Sequence, residues 1–156
     1  MPLWLKTVIF TCVAPGTATV ILPYLILRET ENLSPSWGLF RIAGVILSSL
    51  GLAAYFNCAR NFVVEGHGIP APIDAPKELV VQDLYRYTRN PMYVAVLAII
   101  AGEVLYFGSF ALVLYGLMWF AGFHMFIVLY EEPTLEKLFG RSYRIMCDKV
   151  PRWLGS

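Results

Sequence analysis

The sequence predicts an all-α, polytopic membrane protein with four transmembrane helices, the last two forming a carboxyl-terminal helical hairpin. Three observations predict it: an apolar composition, long uncharged runs of membrane length, and a one-sided distribution of basic residues. The 156 residues are 58% hydrophobic and 15% charged, with a mean hydropathy of +0.61, against roughly 25% charged in an ordinary soluble domain. The bilayer is the solvent this composition suits, and the chain reads as a single membrane-embedded domain, residues 1–156.

Residues 7–27 carry no charge and reach the roughly 20 residues that cross about 30 Å of hydrocarbon. Pro15-Gly16 and Pro23 would break a soluble helix, but a membrane helix tolerates them where neighbours satisfy the freed backbone groups. A cleaved leader is the rival reading. Lys6 alone precedes the run as a charge, and the run is longer than a usual leader core, which favours a retained span. Residues 37–57 form the second span, with Arg41 placed to snorkel. Gly38, Gly44, Ser48, Ser49 and Gly51 recur at helical spacing, which suits close helix packing in lipid. Met92 to Tyr130 is a stretch of 39 residues with one formal charge, Glu103. At 1.5 Å per residue it is about 58 Å of helix, close to two crossings. The weak break at Phe107-Gly108-Ser109 divides it into spans 92–107 and 109–130.

The charges give the topology independently. Lys6, Arg60, Lys77, Arg86, Arg89, Lys137, Arg141, Arg144, Lys149 and Arg152 fall on one side of a four-span arrangement, and Arg28 and Arg41 on the other. The positive-inside rule therefore predicts an integral membrane protein with both termini and the long loop before Asn90 in the cytoplasm. A net charge of +1 with scattered basic residues speaks against nucleic acid, which needs a clustered basic face. Cys12, Cys58 and Cys147 are odd in number with no Cys-x-x-Cys spacing, which predicts neither a disulfide framework nor a metal site.

The polar residues concentrate at both feet of the hairpin. Leu84 to Tyr93 reads Leu-Tyr-Arg-Tyr-Thr-Arg-Asn-Pro-Met-Tyr, and Glu131-Glu132-Pro133 answers it at the far end of the apolar run. Pro91 suits the first turn of a helix, whose free N–H groups, with Arg86 and Arg89, can meet a carboxylate or phosphate. The plain structural alternative is anchoring, since Tyr and Arg are common at the headgroup level and a Glu pair after a span is commonly just solvated. Residues 65–76 are rich in Gly and Pro and read as an ordered or lid-like loop.

The order Lys-Glu-Leu-Val, Tyr-Arg-Tyr-x-Arg-Asn-Pro-x-Tyr, apolar hairpin, Glu-Glu-Pro-x-Leu, Phe-Gly-x-x-Tyr, Val-Pro-Arg-Trp resembles the integral-membrane methyltransferases that include isoprenylcysteine carboxyl methyltransferase and the phospholipid methyltransferases. The resemblance runs from about Asn61 to Trp153. It implies S-adenosyl-L-methionine as cofactor, bound on the cytoplasmic side between the Pro-x-Tyr helix and the segment after the last span. By position it implies cofactor contacts at Lys77, Glu78, Leu79, Val80, Tyr85, Asn90, Pro91, Met92, Tyr93 and Glu131. The residues themselves suit such a ligand: Glu131 or Glu132 can accept from an ammonium or ribose hydroxyl, Tyr85 and Tyr93 can wall an adenine or face a sulfonium, and Arg89 can pair with a carboxylate. Methyl transfer requires alignment and desolvation more than a protein nucleophile.

The acceptor is expected to be lipophilic: an isoprenylcysteine-like carboxylate, a phospholipid amine or a small thiol, with membrane lipids as further partners. The prenylcysteine enzymes place an arginine about one turn before the acidic run, whereas no Lys or Arg occurs here between Pro91 and Glu131. Arg144 or Arg152 is the candidate replacement. Glu103 and His124, on opposite limbs of the hairpin, are candidates for facing one another as a catalytic or structural pair. Two other classes remain open: a nicotinamide-dependent membrane reductase of the sterol-reductase type, and a non-enzymatic membrane assembly subunit.

Overall fold

Residues 2–30, 38–64 and 83–154 are described by the computed structural model, and within them all regular structure is helical. The predicted contacts Lys77, Glu78, Leu79 and Val80 lie outside the described residues. Helix α1 (Leu3–Gly16) passes through a wide π-helical turn, Thr17–Ile21, into α2 (Leu22–Glu29). Helix α3 spans Leu39–Val64, α4 Pro91–Phe107 and α5 Phe110–Phe126. A second wide turn, Ile127–Glu131, leads into α6 (Glu132–Phe139) and then α7 (Arg141–Lys149).

Among the described residues, three helical runs are long and apolar enough to cross a membrane: Trp4–Glu29, Leu39–Val64 and Phe110–Phe139. Pro91–Phe107 is apolar but shorter, at 17 residues. Two boundaries differ from the sequence expectation. Helix α3 continues past residue 57 to Val64 because Cys58, Ala59 and Asn61 are buried, and the Asn61 amide donates to Asp83 Oδ2 at 2.9 Å. The last apolar run continues through Glu131, Glu132 and Pro133 as one helical run, Phe110–Phe139.

Pro23 explains the first wide turn. In a π-helical register its N–H would serve the carbonyl five residues earlier, Ala18, but proline has none. The Tyr115 hydroxyl of α5 donates to that carbonyl instead, at 2.6 Å, while Thr19 Oγ1 donates to Pro15 O at 2.8 Å. The Ala18 carbonyl that Pro23 leaves without its donor is thus satisfied inside an apolar environment.

Helices α3 and α4 approach through small residues. A Cβ on Gly44 would stand 2.6 Å from Gly102 O, one on Gly51 2.8 Å from Ala95 O, and one on Gly102 would collide with Ser48 Oγ. Helix α4 ends at Phe107 because Gly108 takes the left-handed conformation, φ 62°, and α5 begins two residues later. The two then run antiparallel, with the Tyr93 and Phe123 rings 4.7 Å apart. Tyr55, Val96, Ile100, Leu112 and Tyr115 form the main core, and Cys58, Tyr85 and Met146 a second cluster toward the polar end.

Candidate functional site

The site is built on the foot of α4. Asn90 precedes the helix without capping it through its side chain, and its amide nitrogen Nδ2 instead donates to the Arg152 carbonyl at 3.1 Å. Thr88 Oγ1 donates to the same carbonyl at 2.9 Å and accepts from the Asn90 N–H at 3.2 Å. The Arg89 N–H completes the clasp by donating to Pro151 O at 2.9 Å. Residues separated by some sixty positions in sequence are thereby tied backbone to backbone.

The second wide turn supplies the acids. It advances the helix by an extra residue, a device common at functional sites, and sends its two glutamates to different partners. Tyr93 donates its hydroxyl to Glu131 Oε2 at 2.7 Å. Glu132 receives two guanidinium groups: Arg89 Nη1 at 3.1 Å, and Arg152 through Nε at 2.8 Å and Nη2 at 2.9 Å. The Arg152 contact uses both carboxylate oxygens, the strongest geometry available to such a pair, and its bond to Glu132 raises the arginine pKa further. Arg89 Nη1 also lies 2.9 Å from Cys147 Sγ on α7, while its Nε is buried with no partner among the described residues.

A carboxyl-terminal strap, Pro151–Leu154, crosses this end of the molecule. Trp153 Nε1 donates to His124 Nδ1 at 3.2 Å, and its ring lies 5.1 Å from that of Phe120. An indole N–H can only donate, so His124 accepts at Nδ1 and is held as the tautomer protonated at Nε2. Tyr85 packs edge-on against Phe62 at 5.9 Å, and burial pushes its phenol well above the usual range. Tyr143 of α7 is likewise raised by burial, then by Cys147 and Glu132 nearby.

A family model described as phospholipid methyltransferase matches residues 39–142, two thirds of the chain, including Arg89, Asn90, Tyr93, Glu131 and Glu132 but not Tyr143, Cys147 or the strap. The chain belongs to this family. No curated protein and no solved structure gives a match. The chain is therefore a member of a family of membrane methyltransferases, and its apolar helices fit the membrane setting.

Within this phospholipid methyltransferase family member, the structure gathers Arg89, Asn90, Tyr93, Glu131, Glu132 and Arg152 at one end. Met92 packs in both apolar clusters, and Pro91 is buried at the helix start. Tyr85 lies in the short turn Asp83–Arg86, turned toward α3 and α7. The two tail arginines separate: Arg152 joins the cluster, whereas Arg144 pairs with Glu136 at 2.7 Å on the exposed surface of α6 and α7.

Glu103 and His124 do not meet. The antiparallel register that sets Tyr93 beside Phe123 places Glu103, four residues from the end of α4, near the start of α5, far from His124. His124 turns to Trp153 instead, and Glu103 Oε2 is buried without a partner among the described residues. Sequence reasoning missed Thr88, Cys147 and Trp153. Trp153 was visible only as part of a motif, and nothing local in Thr88 or Cys147 announces a partner some sixty residues away.

A groove of about 230 Å³ lies on a different face of α4, lined by Leu50, Ala54, Tyr87, Val94, Ala98 and Leu154 among others. It is apolar throughout apart from Thr88 and the Tyr87 hydroxyl, and it does not contain Tyr93 or Glu131.

Proposed function

We propose that the protein transfers a methyl group from S-adenosyl-L-methionine to a lipophilic acceptor that reaches the α4–α5 end from the bilayer. The observation that carries the reading is the Tyr93–Glu131 contact beside Arg89, whose Nε is buried and has no partner among the described residues, inside the segment that matches the family. The residues fit the cofactor. Arg89 Nε, a buried donor without a partner among the described residues, suits its carboxylate, Glu131 its ammonium or ribose hydroxyls, and the Tyr93–Phe123 pair its flat base or cationic sulfur. When bound, the cofactor supplies an electrophilic methyl group. The chain's own contribution is to orient it, to exclude water, and to present carboxylate and aromatic groups toward positive charge. Lys77, Glu78, Leu79 and Val80 complete the proposed binding set.

The same reading treats α4 as a fourth crossing. Its 17 residues stand at the lower limit of roughly 17–25 for a span, and its close contact with α3 at Gly44, Gly51 and Gly102 supports an antiparallel course beside α3 through the bilayer. Ten of the twelve basic residues flank the site side, which supports a cytoplasmic site with both termini in the same compartment.

Calorimetric titration of the detergent-purified protein with S-adenosylhomocysteine tests this, with NADPH and Glu131→Ala as controls. Binding of the homocysteine product that Glu131→Ala loses is the expected result. Binding of NADPH alone would move the protein to the reductase class, and binding of neither to the assembly subunits.

A further inference from the structure

We propose that the strap Pro151–Leu154 is a gate on the α4–α5 site, latched by Arg152 on Glu132, which must unfasten for a ligand of nucleoside and amino-acid character to enter or leave. The proposal rests on the methyltransferase reading above.

The strap's attachments bracket the site. It is tied to Thr88, Arg89 and Asn90 just before Tyr93, to Phe120 and His124 before Glu131, and to Glu132 just after it. It therefore passes from α4 to α5 at the end where Tyr93 meets Glu131. The groups suited to a ligand are also spent internally while it is in place. Both oxygens of Glu132 face Arg152, one of them is shared with Arg89, and Glu131 holds the Tyr93 hydroxyl.

The strap is built to detach. Its fastenings are mainly hydrogen bonds and one ion pair, which water replaces at small net cost. Pro151, Arg152 and Trp153 are half-buried and Leu154 is exposed, so none of the four is locked in the core. Segments with few buried apolar contacts open at the low end of the local stability range. The Arg152–Glu132 pair is the exception: two-pronged and partly shielded, with the Glu132 side chain 19% exposed, it is the contact whose loss most favours the open form. Arg152 thus acts as a positioning residue through the strap and Glu132, and Trp153 as the fastening on α5.

The test compares the full-length wild type with Arg152→Gln and Trp153→Ala in detergent. It reads S-adenosylhomocysteine association and dissociation by surface plasmon resonance, and amide hydrogen exchange at Arg89, whose N–H is held by Pro151. A gate speeds entry and exit together. Both variants are expected to raise both rates about tenfold, leave Kd within about threefold, and speed exchange at Arg89. A rise in dissociation alone would make these residues ligand contacts and overturn the gate, as would unchanged rates or unchanged exchange in the variants. If Arg152→Gln does not fold, Trp153→Ala decides the matter by the same readings. Absence of wild-type binding would overturn the methyltransferase reading and the gate together, whereas wild-type binding with unaltered variant rates overturns the gate alone.

Discussion

Two wide turns in this chain share one backbone device and serve different ends. Thr17–Ile21 and Ile127–Glu131 are both five-residue π-helical turns, and each is followed two residues later by a proline, Pro23 and Pro133. In the first, the carbonyl that Pro23 leaves without a donor, Ala18, is taken up by the Tyr115 hydroxyl. In the second, the same advance divides two adjacent carboxylates between different partners, Glu131 to Tyr93 and Glu132 to a pair of arginines. The backbone geometry is thus a way of surviving proline in an apolar helix, and the side chains placed on it decide whether it becomes a site. Substitutions at the first turn should change stability and spare ligand binding, and those at the second should do the reverse or both.

The largest effect is expected at Glu132. Glu132→Ala leaves Arg89 and Arg152 facing one another without compensation, and with Arg152 one-third exposed at 33% the loss is about 2–3 kcal/mol, below that for a fully buried pair. Thermal unfolding in detergent should show a large drop, with loss of S-adenosylhomocysteine binding. Next is Glu131→Gln, which keeps an acceptor for the Tyr93 hydroxyl but removes the charge. Calorimetry should find binding weaker by about tenfold, about 1.4 kcal/mol, with the unfolding temperature nearly unchanged. Equal losses of stability and binding would make Glu131 a structural residue like Tyr115.

Tyr115→Phe sharpens the contrast from the other side. It removes the donor to the Ala18 carbonyl, and leaving a buried acceptor unsatisfied costs about 1–3 kcal/mol. The unfolding temperature should fall while binding stays within error, and a binding defect would show that the first turn belongs to the site after all. The smallest effect is expected for Arg144→Ala. Its pair with Glu136 is exposed, at 73% and 46% for the two side chains, and such pairs contribute about 0–1 kcal/mol. Neither unfolding nor ligand binding should move measurably, and a loss of binding would restore Arg144 to the site.

The identity of each polar half of the site was legible in the sequence, but its wiring was not. Tyr93, Arg89 and the Glu131-Glu132 pair stand out because charged and aromatic residues cluster at the ends of uncharged runs. The pairing of Glu103 with His124 failed for a geometric reason: once the turn at Gly108 sets the register, only residues equidistant from it can face one another, and His124 lies much farther along its helix than Glu103. The strap was invisible as a strap because none of its four residues has a regular local pattern, and its partners lie between 20 and 64 positions away.

The sequence by itself determined the membrane class, the apolar helices, the turn at Gly108 and the residue types available at the polar end. These follow from composition, run length and single-residue backbone preference, which are local properties. The tertiary structure alone decided that α3 extends to Val64, that Glu131 and Glu132 take different partners, that Arg152 rather than Arg144 joins the cluster, and that Trp153 closes onto His124. Each of these depends on the relative height and rotation of packed helices, which close glycine contacts and two wide turns set together and which no single segment of sequence contains.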